Sequence, residues 1–468
     1  MRGQFLAGLA YCFYVSWALL CSLGPGIVLA GGLSFAQATS FPSWLGPLVC
    51  IALASVAVAA HYRRTRRIFE GPRRLVVLAC IMAATAVFHA VWILDGEGAN
   101  WLAYIISSVL FGVGGASCRI EIARLFGWIG AQQAIFQGII GTFLASAVLL
   151  VLSWLPGYCL FIGAFLSGAL AVAFLWLGIK GLPHARFYRH GSDASLYVPF
   201  KFMGTCFVQG CAMGIIYIWL FLIGLGTLSE SWHFLASVLA LVALSASMVF
   251  LRLDFNRLIY KVAFPLIAAG FLLLVFVRAE APVGFLVLLL GFCYLDLVLW
   301  SLSSYLVKNM GLPAPWTASC PGAALYFGIL AGSLVSLGFA ADILANPHDF
   351  SDLGAVVACV VLAVALFLSS STNLKYGWGT VRPGDNGLSE DAFDSVVQLL
   401  SREYALTNRE SEVFLFLAQG KSRRFISDNL YVSADTVKTH VKNVYRKLSV
   451  HAQHELINLV EAEVEKFE

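Results

Sequence analysis

Charged side chains are scarce in this chain. Asp, Glu, Lys and Arg make up 12% of the 468 residues, whereas hydrophobic residues make up 60%. Because an ordinary soluble protein carries roughly 25% charged residues, the composition excludes a water-soluble fold for most of the chain. The shortage is uneven, since long apolar runs extend from the N-terminus to about Ser371 and then stop. The composition therefore predicts a large membrane domain followed by a smaller polar one.

Motifs of catalysis and metal binding are missing too. The eleven cysteines form no Cys-x-x-Cys pair and fall in or beside apolar segments, which favours small membrane-helix residues over disulfides or metal ligands. The sequence has no phosphate-binding loop, nucleophile elbow or cluster of metal ligands. We therefore predict no enzyme activity, no metal and no cofactor. A cleavable signal peptide is not expected either, because the first apolar run is too long for one.

Apolar runs long enough to cross a bilayer core of about 30 Å, which takes about 20 residues, occur twelve times. The predicted spans are 5–30, 42–61, 74–95, 100–123, 131–154, 157–179, 201–226, 231–251, 260–277, 282–307, 320–343 and 353–371. Loops after the even-numbered spans hold nearly all of the Lys and Arg, with six Arg after the second span alone. Because basic loops stay in the cytoplasm, we predict a bacterial inner-membrane protein with both termini cytoplasmic.

A longer polar loop near residues 180–200 divides the spans into two sets of six. This organisation resembles the major facilitator superfamily, and the resemblance implies a central cavity lined by spans one, four, seven and ten. Transporters of that superfamily usually carry a Gly- and Asp-containing motif after the second span. Here the loop reads HYRRTRRIFEGPRR and lacks the Asp. Coupled transport is therefore disfavoured, and ligand binding stays open.

Ionisable residues inside the membrane are costly unless paired or hydrated, and therefore indicate functional sites. Asp296, near the midplane of the tenth span, is the strongest candidate, with a structural ion pair to Arg119 as the alternative. The candidate ligand-cavity residues are Asp296, Arg119, Glu121, Tyr294, Trp300, Tyr11, Tyr14, Trp17, Gln209 and Tyr217. Packing is the alternative role for each aromatic residue. The aromatic lining favours a small aromatic ligand.

After the last span, the composition changes. We predict a membrane domain at 1–371, a flexible linker rich in Gly, Ser, Asn and Pro at 372–388, and a C-terminal domain at 389–468. From Ser389 an apolar stripe at helical spacing runs from Phe393 to Tyr404. It packs in the core of the C-terminal domain or pairs between subunits.

Capping signals divide the rest of the C-terminal domain into four helices. Thr407 and Glu410 form a capping box, and Gly420 ends the helix that they begin. The four predicted helices begin near Thr407, Ser422, Ser433 and Ala452. The third carries cationic residues on one face and an apolar set, expected in the core, on the other: Val437, Val441, Val444 and Leu448. A short helix, a turn and a capped cationic helix are typical of a helix-turn-helix.

From Leu406 to Val460 the sequence resembles the LuxR/NarL family of tetrahelical DNA-binding domains. The matching positions are Leu406-Thr407, Arg409-Glu410, Glu412-Val413, Gly420-Lys421-Ser422, Ile426, Leu430, Ser433, Thr436-Val437, His440-Val441 and Lys447-Leu448. The resemblance implies base contacts from Lys438, Thr439 and Lys442, and phosphate contacts from Ser422, Thr436, His440, Arg446 and Lys447. It also implies dimerisation through Glu455, Leu456 and Leu459. For any single cation, a solvated helix face is the alternative.

The sequence thus predicts an all-α protein, with a twelve-helix bundle in two halves and a tetrahelical LuxR-type domain. The predicted function is that of a membrane-bound one-component transcription regulator. A small molecule sensed in the bilayer would control a homodimer on double-stranded DNA. One alternative is a facilitator-like transporter with a fused regulatory domain. Another is a receptor whose terminal helices bind a protein.

Overall fold

The computed structural model describes residues 2–22, 44–61, 73–94, 100–180, 182, 200–222, 229–249, 253–276, 281–308, 312–339, 351–369, 390–418, 420, 423–430 and 432–464. Every regular element within these ranges is a helix, as the all-α prediction requires. The chain divides into two compact units, Met1–Gly384 and Asp385–Glu468. The predicted linker at 372–388 lies outside the described residues.

The described part of the first unit consists of twelve apolar helices, one at each predicted span. They are α1 (Arg2–Ser22), α2 (Leu45–Ala60), α3 (Arg74–Leu94), α4 (Trp101–Ile129), α5 (Ala131–Ser153), α6 (Tyr158–Ile179), α7 (Phe200–Leu222), α8 (Ser229–Val249), α9 (Phe255–Arg257, a π-helical turn Leu258–Ala263 and Phe264–Phe276), α10 (Ala281–Lys308), α11 (Ala314–Gly338) and α12 (Ser351–Leu368). Nine are long and apolar enough to cross a membrane, and α2, α8 and α12 contain shorter apolar stretches.

Within the described residues, the largest departures from the predicted bounds are in α4 and α11. Helix α4 continues to Ile129, where the sequence predicted an end at residue 123. Two of its charged residues, Glu121 and Arg124, lie within this helix and form an ion pair at 2.7 Å. Helix α11 begins at Ala314, directly after Pro313, where the prediction began at residue 320. Pro315 in the first turn suits this helix start, since its fixed φ is already helical and its missing N–H would have had no partner within the helix.

The two halves, α1–α6 and α7–α12, meet where α10 packs on α4 and α5, α8 on α5, and α11 on α2 and α4. Two hydroxyl groups of α10 reinforce this contact. Ser301 donates to the carbonyl of Ala131 at 2.9 Å, and Ser304 donates to the carbonyl of Phe126 at 2.6 Å. Both acceptors flank the turn between α4 and α5. The halves are therefore hydrogen-bonded to each other at that end of the bundle.

Glycine allows a close approach of α7 and α11 within the second half. A Cβ added at Gly210 or Gly214 would collide with the backbone of α11, and one added at Gly328 or Gly332 would collide with that of α7. Small residues spaced four apart let two membrane helices pack backbone to backbone. These helices therefore form a tightly packed pair.

The described part of the second unit contains five helices: α13 (Glu390–Glu403), α14 (Asn408–Ala418), α15 (Arg423–Leu430), α16 (Ala434–Leu448) and α17 (Gln453–Val464). Their buried side chains form one apolar core, to which every helix contributes. Val396, Val397 and Leu400 of α13 belong to it. Of the two alternatives for the apolar stripe before Tyr404, core packing is therefore the one observed.

Candidate functional site

Local capping positions α16, the predicted DNA-reading helix. The Ser433 hydroxyl accepts the backbone N–H of Thr436 at 3.2 Å, as predicted for an N-cap. At the other end Ser449 adopts a left-handed conformation with φ 57°, which terminates the helix after Leu448. Upstream, Gly420 has φ 74° and follows the end of α14, as predicted. Short-range signals thus set where α16 begins and ends.

The two faces of α16 differ in chemistry. The buried face holds the four predicted core residues, Val437, Val441, Val444 and Leu448. The exposed face holds Lys438, Thr439, Lys442 and Arg446. Because the apolar face is fixed in the core, the cationic face must point into solvent. All three predicted base-contacting residues therefore lie on an accessible surface.

The predicted phosphate contacts are less uniform. Thr436 is exposed, and its hydroxyl is 2.7 Å from that of Ser433. His440 is half-buried, and its Nδ1 has no hydrogen-bond partner among the described residues. Arg446 is exposed, whereas Ser422 lies outside the described part of the chain. Thr436 and Arg446 are therefore the phosphate candidates most open to solvent.

Lys447 occupies a different position from the other cations. Its Nζ donates to Glu410 at 2.7 Å and to the carbonyl of Ala405 at 2.8 Å, so it joins α16 to α14. Glu410 also completes the predicted capping box, accepting the Thr407 N–H at 2.9 Å. Burial opposes ionisation of Glu410, but the bonds from Lys447 and Thr407 outweigh it and lower its pKa to about 2. The geometry therefore gives Lys447 a structural contact within the domain, and its implied contact with phosphate stays a prediction.

The residues implied in dimerisation lie on α17. Leu456 is fully buried in the core of its own domain. Glu455 accepts the backbone N–H of His451 at 2.8 Å and is half-buried, as is Leu459. The predicted pairing surface therefore rests on Glu455 and Leu459, because the side chain of Leu456 is enclosed.

In the first unit, four of the predicted cavity residues come together across the two halves. The Tyr11 hydroxyl of α1 donates to Asp296 Oδ2 of α10 at 3.1 Å. The Arg119 guanidinium carbon of α4 lies 4.6 Å from the ring centroid of Trp300, also on α10. Tyr11 and Trp300 meet edge to face at 5.5 Å. Ion pairs within the described ranges do not include one between Arg119 and Asp296.

Two further predicted residues, Tyr14 and Tyr217, lie near this polar cluster of Tyr11, Arg119, Asp296 and Trp300. Tyr14 has Arg119 as an electrostatic neighbour, and Tyr217 has Asp296. Gln209 is 1% exposed, and its Oε1 lacks a hydrogen-bond partner among the described residues. Six of the ten predicted cavity residues therefore lie in or near one polar region, and their role in ligand binding stays a prediction.

Three predicted cavity residues lie elsewhere. Glu121 forms ion pairs with Arg74 at 3.1 Å and Arg124 at 2.7 Å, which accounts for its burial without a ligand. Trp17 donates its indole N–H to the Met82 carbonyl at 3.2 Å and has the packing role that was its alternative. Tyr294 is fully buried on α10. Within the described residues, no hydrogen bond, ion pair or ring contact joins any of the three to the four residues of the polar cluster.

Tyr326 of α11 was missed from sequence. Its ring centroid is 6.0 Å from the Arg119 guanidinium carbon, and it is an electrostatic neighbour of Tyr14. The expectation that only spans one, four, seven and ten line the cavity excluded it. A tyrosine within the eleventh apolar run was the available signal. The structure therefore adds α11 to the site.

Comparisons with known proteins support the assignment of the second unit. Residues 404–460 match GerE, the bacterial regulatory proteins of the luxR family. The uncharacterized response regulatory protein YgeK of Escherichia coli K12 is 43% identical over 72 residues, 14% of this chain and 49% of the relative. The Fimbriae Z protein of Salmonella typhimurium is 29% identical over 122 residues, 20% of this chain and 58% of the relative. The chain thus spans about half the length of these relatives.

The first unit is similar to solved transporters. The proton:xylose symporter XylE superposes with a TM-score of 0.53 at 14% identity, covering 78% of this chain and 94% of the symporter. The human organic anion transporter MFSD10 gives 0.51 at 16% identity, over 79% of this chain and 98% of the transporter. A bacterial ferroportin homologue gives 0.52 at 12% identity, over 79% and 97%. At such identities the similarity concerns the fold alone.

These findings define the class of protein. The C-terminal unit is a LuxR-type helix-turn-helix DNA-binding domain, and the N-terminal unit is a membrane domain with the major facilitator fold. The chain therefore combines a membrane-embedded bundle and a DNA-binding module in one polypeptide.

Proposed function

We propose that this protein is a one-component transcription regulator of the bacterial inner membrane, in which a small molecule bound between the two six-helix halves controls DNA binding. The polar cluster carries this proposal, because its contacts cross from one half to the other. A ligand that inserts among these groups changes the contacts between the halves. In facilitator-like folds, such a change moves one half against the other around a central site.

The required energy is within reach of such a site. Switching a two-state equilibrium from about 1:99 to 99:1 takes about 5.5 kcal/mol of differential ligand affinity. Hydrogen bonds to charged groups contribute roughly 1.5–3 kcal/mol each. Two or three polar contacts made in only one arrangement are therefore enough.

Access to the chromosome requires a cytoplasmic C-terminus. We propose that both termini are cytoplasmic, because the basic loops lie on one side of the predicted topology. A reporter fused after Glu468 tests this placement. Folding of the reporter in the cytoplasm is expected, and a periplasmic reporter would exclude the proposed function.

Two copies acting together would read two half-sites on DNA. Glu455 and Leu459, both half-buried on α17, are the residues proposed for this pairing. Leu459→Lys should weaken cooperative binding to a two-site operator while leaving single-site binding unchanged. Equal losses on both DNAs would point to misfolding instead of lost pairing.

The central experiment begins with the operator, recovered by sequencing DNA that co-purifies with the full chain. A reporter under that operator is then screened against small aromatic compounds. We expect a compound to change expression, and Asp296→Asn to abolish the change while operator binding persists. Asp254→Asn is the matched control, because Asp254 caps α9 and Asn caps nearly as well. An unchanged response in Asp296→Asn would remove the site.

A transporter with a fused regulatory domain is the second candidate. The observation that favours it is the fold, since the structural neighbours XylE and MFSD10 are transporters. Uptake of the active compound into vesicles containing the full chain distinguishes the two. A pure sensor binds the compound but does not concentrate it.

A further inference from the structure

We infer that the membrane unit binds a small aromatic carboxylate and that Arg119 is the residue that binds the carboxylate group. This inference rests on the proposed sensing function and adds the chemistry of the ligand to it. The residues that carry it are Arg119, Trp300, Tyr326, Asp296 and Gly322.

The guanidinium of Arg119 has an unsatisfied N–H donor in the described part of the chain. Its Nε is buried and has no hydrogen-bond partner among the residues that the structure describes. None of the described ion pairs includes Arg119, although it lies well inside an apolar bundle. A guanidinium has five N–H donors and cannot be neutralised by losing a proton. An acceptor supplied from outside the chain would satisfy it.

Aromatic rings hold the guanidinium without satisfying its donors. The guanidinium carbon lies 4.6 Å from the Trp300 ring centroid and 6.0 Å from that of Tyr326. Such stacking attracts the positive charge but provides no carbonyl or carboxylate oxygen. On another side Gly322 approaches closely, since a Cβ there would lie 3.3 Å from Arg119 Nε. The cation is thus positioned by packing and remains available to an anion.

Asp296 does not neutralise this cation by direct contact. Within the described ranges, no nitrogen of Arg119 lies within ion-pair distance of its carboxylate. Asp296 Oδ2 instead accepts the Tyr11 hydroxyl at 3.1 Å, and Trp300 is a further hydrogen-bonding neighbour. The carboxylate therefore has donors of its own, whereas Nε of the guanidinium has no acceptor among the described residues. This asymmetry favours an anionic ligand over a cationic one.

A carboxylate matches the geometry of a guanidinium, because two parallel N–H···O bonds can form at once. An aromatic body attached to it would find Trp300, Tyr326 and Tyr11 at the same level of the bundle. The ligand class that satisfies both features is a small aromatic carboxylate.

Three probes of nearly the same shape test the class: benzoate, benzamide and benzylamine. Binding of each to the full chain in lipid nanodiscs is measured by ligand-observed saturation-transfer NMR, with titration for affinity. We expect benzoate to bind at least about tenfold more tightly than either other probe. Equal affinities, a preference for benzylamine or no binding of benzoate would overturn the inference.

Variants assign the binding to Arg119. Arg119→Gln should abolish the preference for benzoate. Arg119→Lys should weaken this preference, because the positive charge stays but the two parallel N–H donors of the guanidinium are lost. Gly322→Ala keeps every charge and presses a methyl group against Nε, and should also weaken benzoate binding. This mild variant preserves the test if Arg119 is needed for folding. Arg257→Gln, which removes a 57% exposed ion-pair partner of Asp254, is the control expected to bind benzoate normally.

The outcomes for the ligand class and for sensing are separable. Benzoate binding that depends on Arg119 but leaves operator binding unchanged supports the anion site and contradicts sensing. A reporter that responds only to amines or neutral compounds supports sensing and contradicts the anion site.

Discussion

The Tyr11 hydroxyl donates a hydrogen bond of 3.1 Å to Asp296, a residue 285 positions further along the chain. The bond joins α1 of the first half to α10 of the second. It therefore stabilises the packing of the two halves against each other. Its loss should weaken that packing more than it weakens the fold of either half.

Replacement of Tyr11 by Phe should shift the equilibrium between the different arrangements of the two halves. A hydrogen bond to a charged group contributes roughly 1.5–3 kcal/mol, so its removal should change the ratio of arrangements about tenfold or more. Spin labels on α5 and α8, one in each half, report the change as an altered distance distribution. Tyr104→Phe is the matched control, because the Tyr104 hydroxyl accepts the Gly46 N–H within the first half. A shift of the same size in that control would contradict the assignment.

Stability of the C-terminal domain should depend on pH through Glu410. Its pKa in the folded state is about 2, below the ordinary value, so its contribution is complete above the unfolded pKa of about 4.3. The contribution is lost as pH falls through that value toward about 2, and amounts to at most roughly 3 kcal/mol. Urea unfolding of the fragment from Asp385, followed from pH 7 to acid, measures it.

Glu410→Gln and Lys447→Met should both reduce the pH dependence of stability and lower the free energy of unfolding at neutral pH. Each breaks an ion pair whose Lys447 and Glu410 side chains are only 27% and 7% exposed. Arg409→Gln breaks a pair of the same 2.7 Å length whose side chains are 59% and 47% exposed. Its effect should stay below about 1 kcal/mol. Equal losses of unfolding free energy for the Glu410–Lys447 pair and the exposed Arg409–Glu412 pair would show that burial does not determine how much an ion pair stabilises this domain.

Binding to the recovered operator should distinguish the roles of the cationic residues of α16. Lys442→Ala should cost about 1–3 kcal/mol and relax sequence preference, as expected for a base contact. Arg446→Ala should weaken binding to all sequences. It should also reduce the slope of the logarithm of the binding constant against the logarithm of salt concentration by about one. Lys447→Met should leave the salt dependence unchanged, because Lys447 is paired with Glu410. Gel shifts at several salt concentrations measure all three, with Arg409→Gln as the control.

The close packing of α7 and α11 gives a prediction about stability. Gly332→Ala should destabilise the membrane unit by roughly 1–3 kcal/mol, because the added methyl group meets the Cys211 carbonyl and the helices must separate. Gly338→Ala, in the same helix, adds its methyl group where no atom lies within 4 Å. Thermal unfolding of the full chain in detergent compares the two. Equal melting temperatures would indicate that the helix pair tolerates the separation.

The sequence by itself determined features that depend on hydrophobicity and on near neighbours. The twelve apolar runs predicted twelve helices, and capping by Thr407 and Ser433 predicted where α14 and α16 begin. These interactions join residues three positions apart, so a linear pattern contains all the information they need. For the same reason the apolar face of α16 was assigned correctly.

Only the tertiary structure decided which charged and polar groups meet. Lys447 pairs with Glu410, which lies 37 positions away, and Glu121 pairs with Arg74, which lies 47 positions away. Neither partner was predicted from the sequence. A sequence records that these groups are ionisable, not which partner satisfies them. That choice follows from how helices pack in three dimensions, because electrostatic energy depends on distance in space.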